Sequence, residues 1–328
     1  MRAVEFTAAG GPEVIRITEA ADPVPSAGEV LIEVAASGLN RADVMQRNGV
    51  YPPPAGASPI PGLEVSGRVV AAGLGSPAAV QELVGVEVVA LLAGGGYAER
   101  VVVDARHVLP VPKGVDVVDA AGLIEVAATV HSNLRGEAAA GPGDTVLVHG
   151  GTGGIGTFAL QFLRALGATT LTTVGSPEKA EVARSLGADH VIDYRQEDVR
   201  ARVEEITGGR GVEAILDVVG AKYLEANLKS LASGGRLVVI GLQGGRRAEI
   251  DLGLMLARRL RIIATTLRSR DAETKARIIA GVGEEVWPVI EDGGITVQTD
   301  RVFALEDATA AHEYFDSGAH TGKVLLRP

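Results

Sequence analysis

The run Val146-Leu-Val-His-Gly-Gly-Thr-Gly-Gly-Ile-Gly156 constrains this chain more than any other stretch. It begins as an apolar strand ending at His149, places glycines at 151, 153 and 156, and opens into a helical pattern that Gly167 stops. Ile155, Phe158, Phe162 and Leu166 of that pattern fall on one face. In a chain with 43 glycines the spacing alone says little. Between a strand and a helix it describes a turn whose glycines let backbone approach a pyrophosphate and let the helix pack closely on the strand. The helix N-terminal amides then face the anion.

The surroundings of that turn are of one kind. Apolar runs at Thr145–His149, Thr169–Val174, His190–Ile192, Glu213–Val218, Arg236–Ile240 and Arg261–Thr266 alternate with helical patterns. Nearly continuous apolar strands separated by helices predict an α/β layer with a doubly wound parallel sheet, over residues 125–267. Residues 1–124 read differently. Val30–Val34, Gly67–Gly73 and Gly85–Ala90 are short strands bracketed by glycine, which predicts an antiparallel, barrel-like β domain. Gln46–Pro54, with its three consecutive prolines, is a loop. Residues 268–328 hold helices around Asp271–Val282 and Leu305–Phe315 and a last strand ending at Arg327. Too short to stand alone, they are expected to return and complete the first domain.

Composition narrows the function. With 46% hydrophobic and 22% charged residues the chain can bury a core, and its net charge of −10 argues against a nucleic-acid binder. No uninterrupted apolar stretch reaches the about 18 residues of a membrane span, and no leader peptide is evident, so a cytoplasmic protein is expected. Cysteine is absent, which excludes disulfides, thiol nucleophiles, iron–sulfur clusters and thiolate-bound zinc. His107, His131, His149, His190, His312 and His320 are scattered without metal-ligand spacing, so no metal site is expected.

The second strand of the parallel layer distinguishes the nicotinamide cofactors. An acid at its tip would hold the ribose hydroxyls of NADH. Here Val174 is followed by Gly175-Ser-Pro-Glu-Lys179, with no acid at the tip. Ser176 before Pro177 suits a helix N-cap. Lys179 falls in the first helical turn, where the macrodipole disfavours a cation, a placement that makes sense if a 2′-phosphate meets it. NADPH is the expected cofactor, with Glu178 as an ordinary first-turn acid beside it.

Together these residues resemble a known family. The chain is similar throughout to the zinc-independent quinone oxidoreductases of the medium-chain dehydrogenase/reductase superfamily, the zeta-crystallin group, and most to the p53-inducible type. The resemblance runs through Gly38-Leu-Asn-Arg-Ala-Asp-Val-Met-Gln-Arg-Asn-Gly-Val-Tyr51, Pro61–Gly67, Gly94–Glu99, the glycine turn, Gly241–Gly245, Thr266-Leu-Arg-Ser-Arg-Asp271 and Gly322–Leu326. It implies a GroES-like β-barrel domain beside a Rossmann domain. It also implies that Asn40, Tyr51 and Thr129 border the nicotinamide and the acceptor. The cofactor residues it implies are Gly151, Thr152, Gly153, Gly154, Ile155 and Gly156 at the turn, and Gly175, Ser176, Lys179 and Tyr194 at the adenosine phosphate. Ile240, Gly241, Leu242, Gln243, Thr265, Thr266, Leu267 and Lys323 would follow along the ribose and nicotinamide. Asn40 equally suits a helix N-cap, and the Thr129 hydroxyl can bond back to its own helix. Ile124 stands where relatives usually carry proline, and Ala127 and Ala128 where bulkier groups are frequent, which leaves the size of the acceptor pocket open.

The chemistry expected is direct hydride transfer from NADPH to an acceptor that brings its own electron sink, a quinone or activated enone, with Asn40 and Tyr51 bonding the acceptor oxygen. Two further readings stay open. One is an enoyl thioester reductase, with Arg41 and Arg47 as candidates for a carrier phosphate. The other is an NADPH-binding sensor or structural protein. An apolar edge strand at Arg259–Leu267 needs cover, and a homodimer, with a tetramer as the larger option, would supply it.

Overall fold

The computed structural model describes residues 1–328. Contacts divide them into two units: Met1–Ala128 with Leu267–Glu291 and Val297–Pro328, and Thr129–Thr266 with Asp292–Thr296. In the first unit β1 (Arg2–Phe6) pairs antiparallel with β2 (Ile15–Glu19). The strand β3 (Glu29–Gly38) shows the period of two that a one-sided core demands, burying Val30, Ile32, Val34 and Ala36. It pairs antiparallel with β4 (Glu64–Ala72). Then β5 (Glu87–Leu91) extends the sheet, β6 (Arg100–Asp104) pairs with β3, and β7 (Val108–Pro110) pairs with β5. Val65, Val69, Val88, Val101 and Val103 join Val30 and Ile32 in the core of this sheet.

The second unit holds β8 (Thr145–His149), β9 (Thr169–Val174), β10 (His190–Asp193), β11 (Val212–Asp217), β12 (Leu231–Val239) and β13 (Arg261–Ala264). All six are parallel, in the order β10-β9-β8-β11-β12-β13. The chain winds outward from β8 to one edge, then crosses back to β11, so the order reverses between β8 and β11. The chain then returns to the first unit with β14 (Thr299–Ala304) and β15 (Lys323–Arg327), and β15 pairs with β3 through Leu325↔Gly38 and Leu326↔Ser37. No helix is long and apolar enough to cross a membrane.

Three boundaries differ from expectation. The crossing between units falls at Ala128/Thr129, inside the helix Ile124–Val130, because its first turn is held to the first unit: Glu125 N–H donates to Glu64 Oε2 at 2.9 Å. Asp292–Thr296, read as part of the returning segment, belongs to the second unit. Gln161 holds it there, accepting from Thr296 N–H at 2.9 Å and donating to the Thr296 carbonyl at 3.1 Å. The edge strand is shorter than Arg259–Leu267, since Arg259 adopts a left-handed φ of 52° and ends the helix Leu252–Arg258. Apolar pattern marks none of these points, because side chain to backbone bonds decide the first two and a left-handed residue the third.

Candidate active site

Every cofactor residue expected in the second unit follows the C-terminal end of a parallel strand, so all lie along one edge of the sheet. The glycine turn follows β8 at the point where strand order reverses, the place where open α/β sheets bind ligands. Thr173 secures it: its carbonyl accepts from Gly151 N–H at 3.1 Å and its hydroxyl from Gly150 N–H at 3.2 Å. A Cβ on Gly156 would stand 2.2 Å from the Gly150 carbonyl oxygen, and one on Gly151 2.2 Å from Thr172 Oγ1. These two glycines are demanded by close approach. Gly153 is the N-cap of the helix Gly154–Ala165, and no side chain caps that helix, which leaves its first-turn amides for an anion.

At the tip of β9, Gly175 and Tyr194 are in contact. A Cβ on Gly175 would stand 2.5 Å from the Tyr194 hydroxyl, and Tyr194 N–H donates to the Val174 carbonyl at 3.2 Å. Ser176 is the N-cap of the helix Pro177–Ser185 and accepts from Lys179 N–H at 3.3 Å. Its hydroxyl also holds the Glu178 carboxyl below the usual range. Lys179 thus stands in the first turn of that helix, as expected.

The loops after β11 and β12 are tied together. Ile240 N–H donates to the Asp217 carbonyl at 2.8 Å and Gln243 N–H to that of Val218 at 3.2 Å, while Gly241 packs against Val218 too closely for any Cβ. After β13, Thr265 Oγ1 donates to Asn133 Oδ1 at 2.6 Å, and Asn133 Nδ2 donates to the Thr129 carbonyl at 2.8 Å. Asn133 thereby joins two expected site residues from the single π-helical stretch His131–Glu137. Beneath the glycine turn, His149 is buried, its Nε2 bonded to Asn227 Oδ1 at 2.8 Å. Burial pulls its pKa down and pushes that of Asp217 up, and each charge partly offsets the other.

In the first unit Asn40 is the N-cap of the helix Arg41–Arg47, but its side chain points elsewhere. Nδ2 donates to the Gly38 carbonyl at 3.2 Å and to Glu64 Oε1 at 3.0 Å, and Oδ1 accepts from Lys323 Nζ at 2.7 Å. Both amide hydrogens are committed, so Asn40 has no donor left for an acceptor oxygen, which corrects the role expected of it. Lys323, expected along the cofactor, is engaged in the same cluster: its Nζ donates to Glu64 Oε1 at 2.6 Å, Asn40 Oδ1 at 2.7 Å and the Leu39 carbonyl at 3.2 Å, which uses its three hydrogens within the first unit. Gly38 permits this cluster, since a Cβ there would stand 2.2 Å from Glu64 Oε1.

Tyr51 lies beside Arg268, whose guanidinium carbon stands 5.6 Å from the ring centroid. Burial raises the Tyr51 pKa and Arg268 opposes that rise, so the hydroxyl stays protonated at neutral pH. Leu267 belongs to the first unit with Arg268. Arg47 is 3% exposed and donates to Asp316 at 2.6 Å, with His312 Nδ1 3.0 Å away, which removes it as a carrier-phosphate ligand. Arg41 faces Asp316 at 3.6 Å and stacks on Phe315.

The comparisons agree with this layout. A model of the alcohol dehydrogenase GroES-like domain matches residues 26–113, and one of the zinc-binding dehydrogenases matches residues 154–280. The quinone oxidoreductase of Pseudomonas aeruginosa is 33% identical over 99% of both chains. The chain belongs to the quinone oxidoreductases. Quinone oxidoreductases of the same medium-chain superfamily include the Escherichia coli enzyme, solved in complex with NADPH, which superposes with a TM-score of 0.90 at 32% identity over the whole of both chains. The CurK enoyl reductase superposes with a TM-score of 0.87 at 27% identity, over 99% of this chain and 98% of its own. As a quinone oxidoreductase the chain is an oxidoreductase with a GroES-like layer and a Rossmann layer. The zinc in the second family's description finds no ligand set here: cysteine is absent, and no group of three or more His, Asp or Glu could hold a metal ion.

Several residues that hold the expected site residues in place escape sequence reasoning. Glu64, Asn133 and Asn227 carry no local signal of a role. Asp43 is fully buried and accepts from Asn40 N–H at 2.8 Å, Tyr97 OH at 3.0 Å and Gly62 N–H at 3.2 Å. Burial pushes its pKa up to about 6 against those donors. Only Asp43, three residues after Asn40, carried a usable clue, the spacing of a capping box.

Proposed function

We propose that this protein binds NADPH along the C-terminal edge of its parallel sheet and reduces a quinone or other activated enone. The observation that carries the proposal is the glycine turn on β8 at the strand-order reversal, with its uncapped helix start. Absence of an acid at the β9 tip and the presence of Lys179 support the 2′-phosphate form of the cofactor, as does the NADPH bound to the Escherichia coli relative. NADPH, when bound, supplies a hydride from its nicotinamide C4. The protein's own part is to position and to move a proton. Asn40, locked by Glu64 and Lys323, offers a carbonyl oxygen only and therefore orients a donor. Tyr51 keeps its proton at neutral pH and donates it, directly or through water, to the acceptor oxygen as charge develops there. Thr129, whose carbonyl is tied to Thr265 through Asn133, would border the nicotinamide. A quinone carries its own electron sink, so this chain needs no Lewis acid to polarise it.

The experiment is NADPH oxidation against a panel of quinones, enones and enoyl thioesters. Turnover of simple quinones is expected. Reduction of enoyl thioesters with quinones inert would establish the second reading, which the likeness to the CurK enoyl reductase supports. Binding of NADPH with no turnover of any acceptor would point to a sensor.

The same reading includes a homodimer. β13 is an open edge of the parallel sheet, and the preceding helix exposes Leu252 at 69% and Leu256 at 80%. Pairing across a two-fold axis covers both. Light scattering is expected to give a dimer for the native chain and a monomer for Leu256→Glu; a monomeric native chain sinks this part of the reading.

A further inference from the structure

His149 ends β8 at the strand-order reversal, beside Asp217 at the end of β11, and both side chains are buried. Its Nε2 lies 2.8 Å from Asn227 Oδ1 and its Nδ1 3.2 Å from Thr173 Oγ1. An amide oxygen only accepts, so Nε2 carries the proton and Nδ1 is an acceptor. The Thr173 hydroxyl has one hydrogen and already accepts from Gly150 N–H at 3.2 Å, so that hydrogen goes to His149 Nδ1. Asn227 thus fixes the tautomer of the imidazole, the imidazole fixes the hydroxyl, and the hydroxyl holds Gly150 at the entry to the glycine turn. On the far side, the Asn227 amide favours the ionised form of Asp217, whose carboxylate accepts from Val219 N–H at 2.7 Å and Gly220 N–H at 3.1 Å. One buried chain of bonds therefore joins the loops on both sides of the reversal. The Tyr223 ring stands tilted against the imidazole, centroids 4.9 Å apart, and burial favours the neutral imidazole while Asp217 opposes that.

We propose that His149 is a positioning residue for the cofactor pyrophosphate, acting through Thr173 to hold the Gly150 and Gly151 amides inward so that the uncapped start of the helix Gly154–Ala165 faces the anion. The proposal rests on cofactor binding at the glycine turn and adds the residue that sets the shape of that turn. A neutral imidazole suits this task. Protonated at both nitrogens, His149 would donate to the Thr173 hydroxyl oxygen and compete there with Gly150 N–H.

Nitrogen-15 NMR of histidine-labelled protein reads the tautomer, and fluorescence titration with NADPH reads the affinity. Two substitutions separate the halves of the imidazole. Asn puts an amide oxygen near the place of Nδ1, whereas Gln puts its amide near Nε2 and leaves the Thr173 hydroxyl without its acceptor. His149→Gln is expected to weaken NADPH binding about tenfold, the size of one buried hydrogen bond, and His149→Asn to recover most of that loss. Thr173→Val is expected to lose the same factor and to add little when combined with His149→Gln, because both break one chain. A histidine that only supports the fold would instead let affinity follow melting temperature in every variant. Equal affinities in His149→Gln and His149→Asn, or an Nδ1–H tautomer in the native chain, overturn the proposal. Should a His149 variant fail to fold, Thr173→Val decides: unchanged affinity overturns the proposal, and about a tenfold loss at a near-native melting temperature supports it. A native chain that binds no NADPH would sink the cofactor reading and the proposal together, an outcome distinct from variants that bind as the native chain does.

Discussion

At Lys179 a cation occupies the first turn of a helix, where the macrodipole disfavours it. Lys179→Ala is therefore expected to lower the preference for NADPH over NADH by about tenfold in kcat/KM, the value of one charged hydrogen bond to a phosphate. An unchanged preference in paired kinetics with the two cofactors would remove Lys179 from the phosphate pocket. The expectation for Lys179 rests on a local oddity: a base in the first turn beside a strand tip lacking an acid. Asn40 was legible as a helix N-cap, yet the orientation of its amide was not. Glu64 and Lys323, which turn its amide, lie 24 and 283 residues away, beyond the reach of any local pattern. The same distance hid Asp43's partner Tyr97, 54 residues on.

Elements were read well wherever periodicity dictates them and poorly where single side chains do. All six parallel strands follow from their apolar runs, and so does the helix Gly154–Ala165. The crossing at Ala128/Thr129 and the capture of Asp292–Thr296 do not, since bonds from Glu64 and Gln161 decide them. The glycine turn allows a sharp test of one element. A Cβ at 156 meets backbone at 2.2 Å, whereas one at 153 has no heavy atom nearer than 3.8 Å, and Gly153 has an ordinary φ of −76°. Gly156→Ala is expected to cost about 1–3 kcal/mol and to weaken NADPH binding, while Gly153→Ala leaves the melting temperature near native. Thermal unfolding with NADPH titration of both variants checks this; equal melting temperatures would contradict the packing argument.

Over the whole molecule, two buried groups tilt stability with pH in opposite senses. His312 is fully buried, accepts at Nδ1 from Arg47, and burial, with Arg47 adding to it, depresses its pKa to about 3. Its contribution is complete above the unfolded value of about 6.5 and is lost as pH falls through about 3, up to about 5 kcal/mol. Asp43, raised to about 6, acts the other way: its contribution is present below its unfolded value and lost as pH rises through about 6. Between pH 6.5 and pH 4 the two contributions largely offset, so the urea midpoint of the native chain is expected to change little, whereas that of His312→Leu, left with the Asp43 contribution, is expected to rise toward pH 4; an equal pH dependence in both would acquit His312. The pairing of β15 with β3 has another consequence, in the order of synthesis. A growing chain completes all six parallel strands by Ala264, but β3 waits for Leu325, and Asn40 for Lys323. A nascent chain thus carries its six parallel strands before the β layer of the first unit can close, and a chain cut before Lys323 would leave β3 without β15 and Asn40 without its cation.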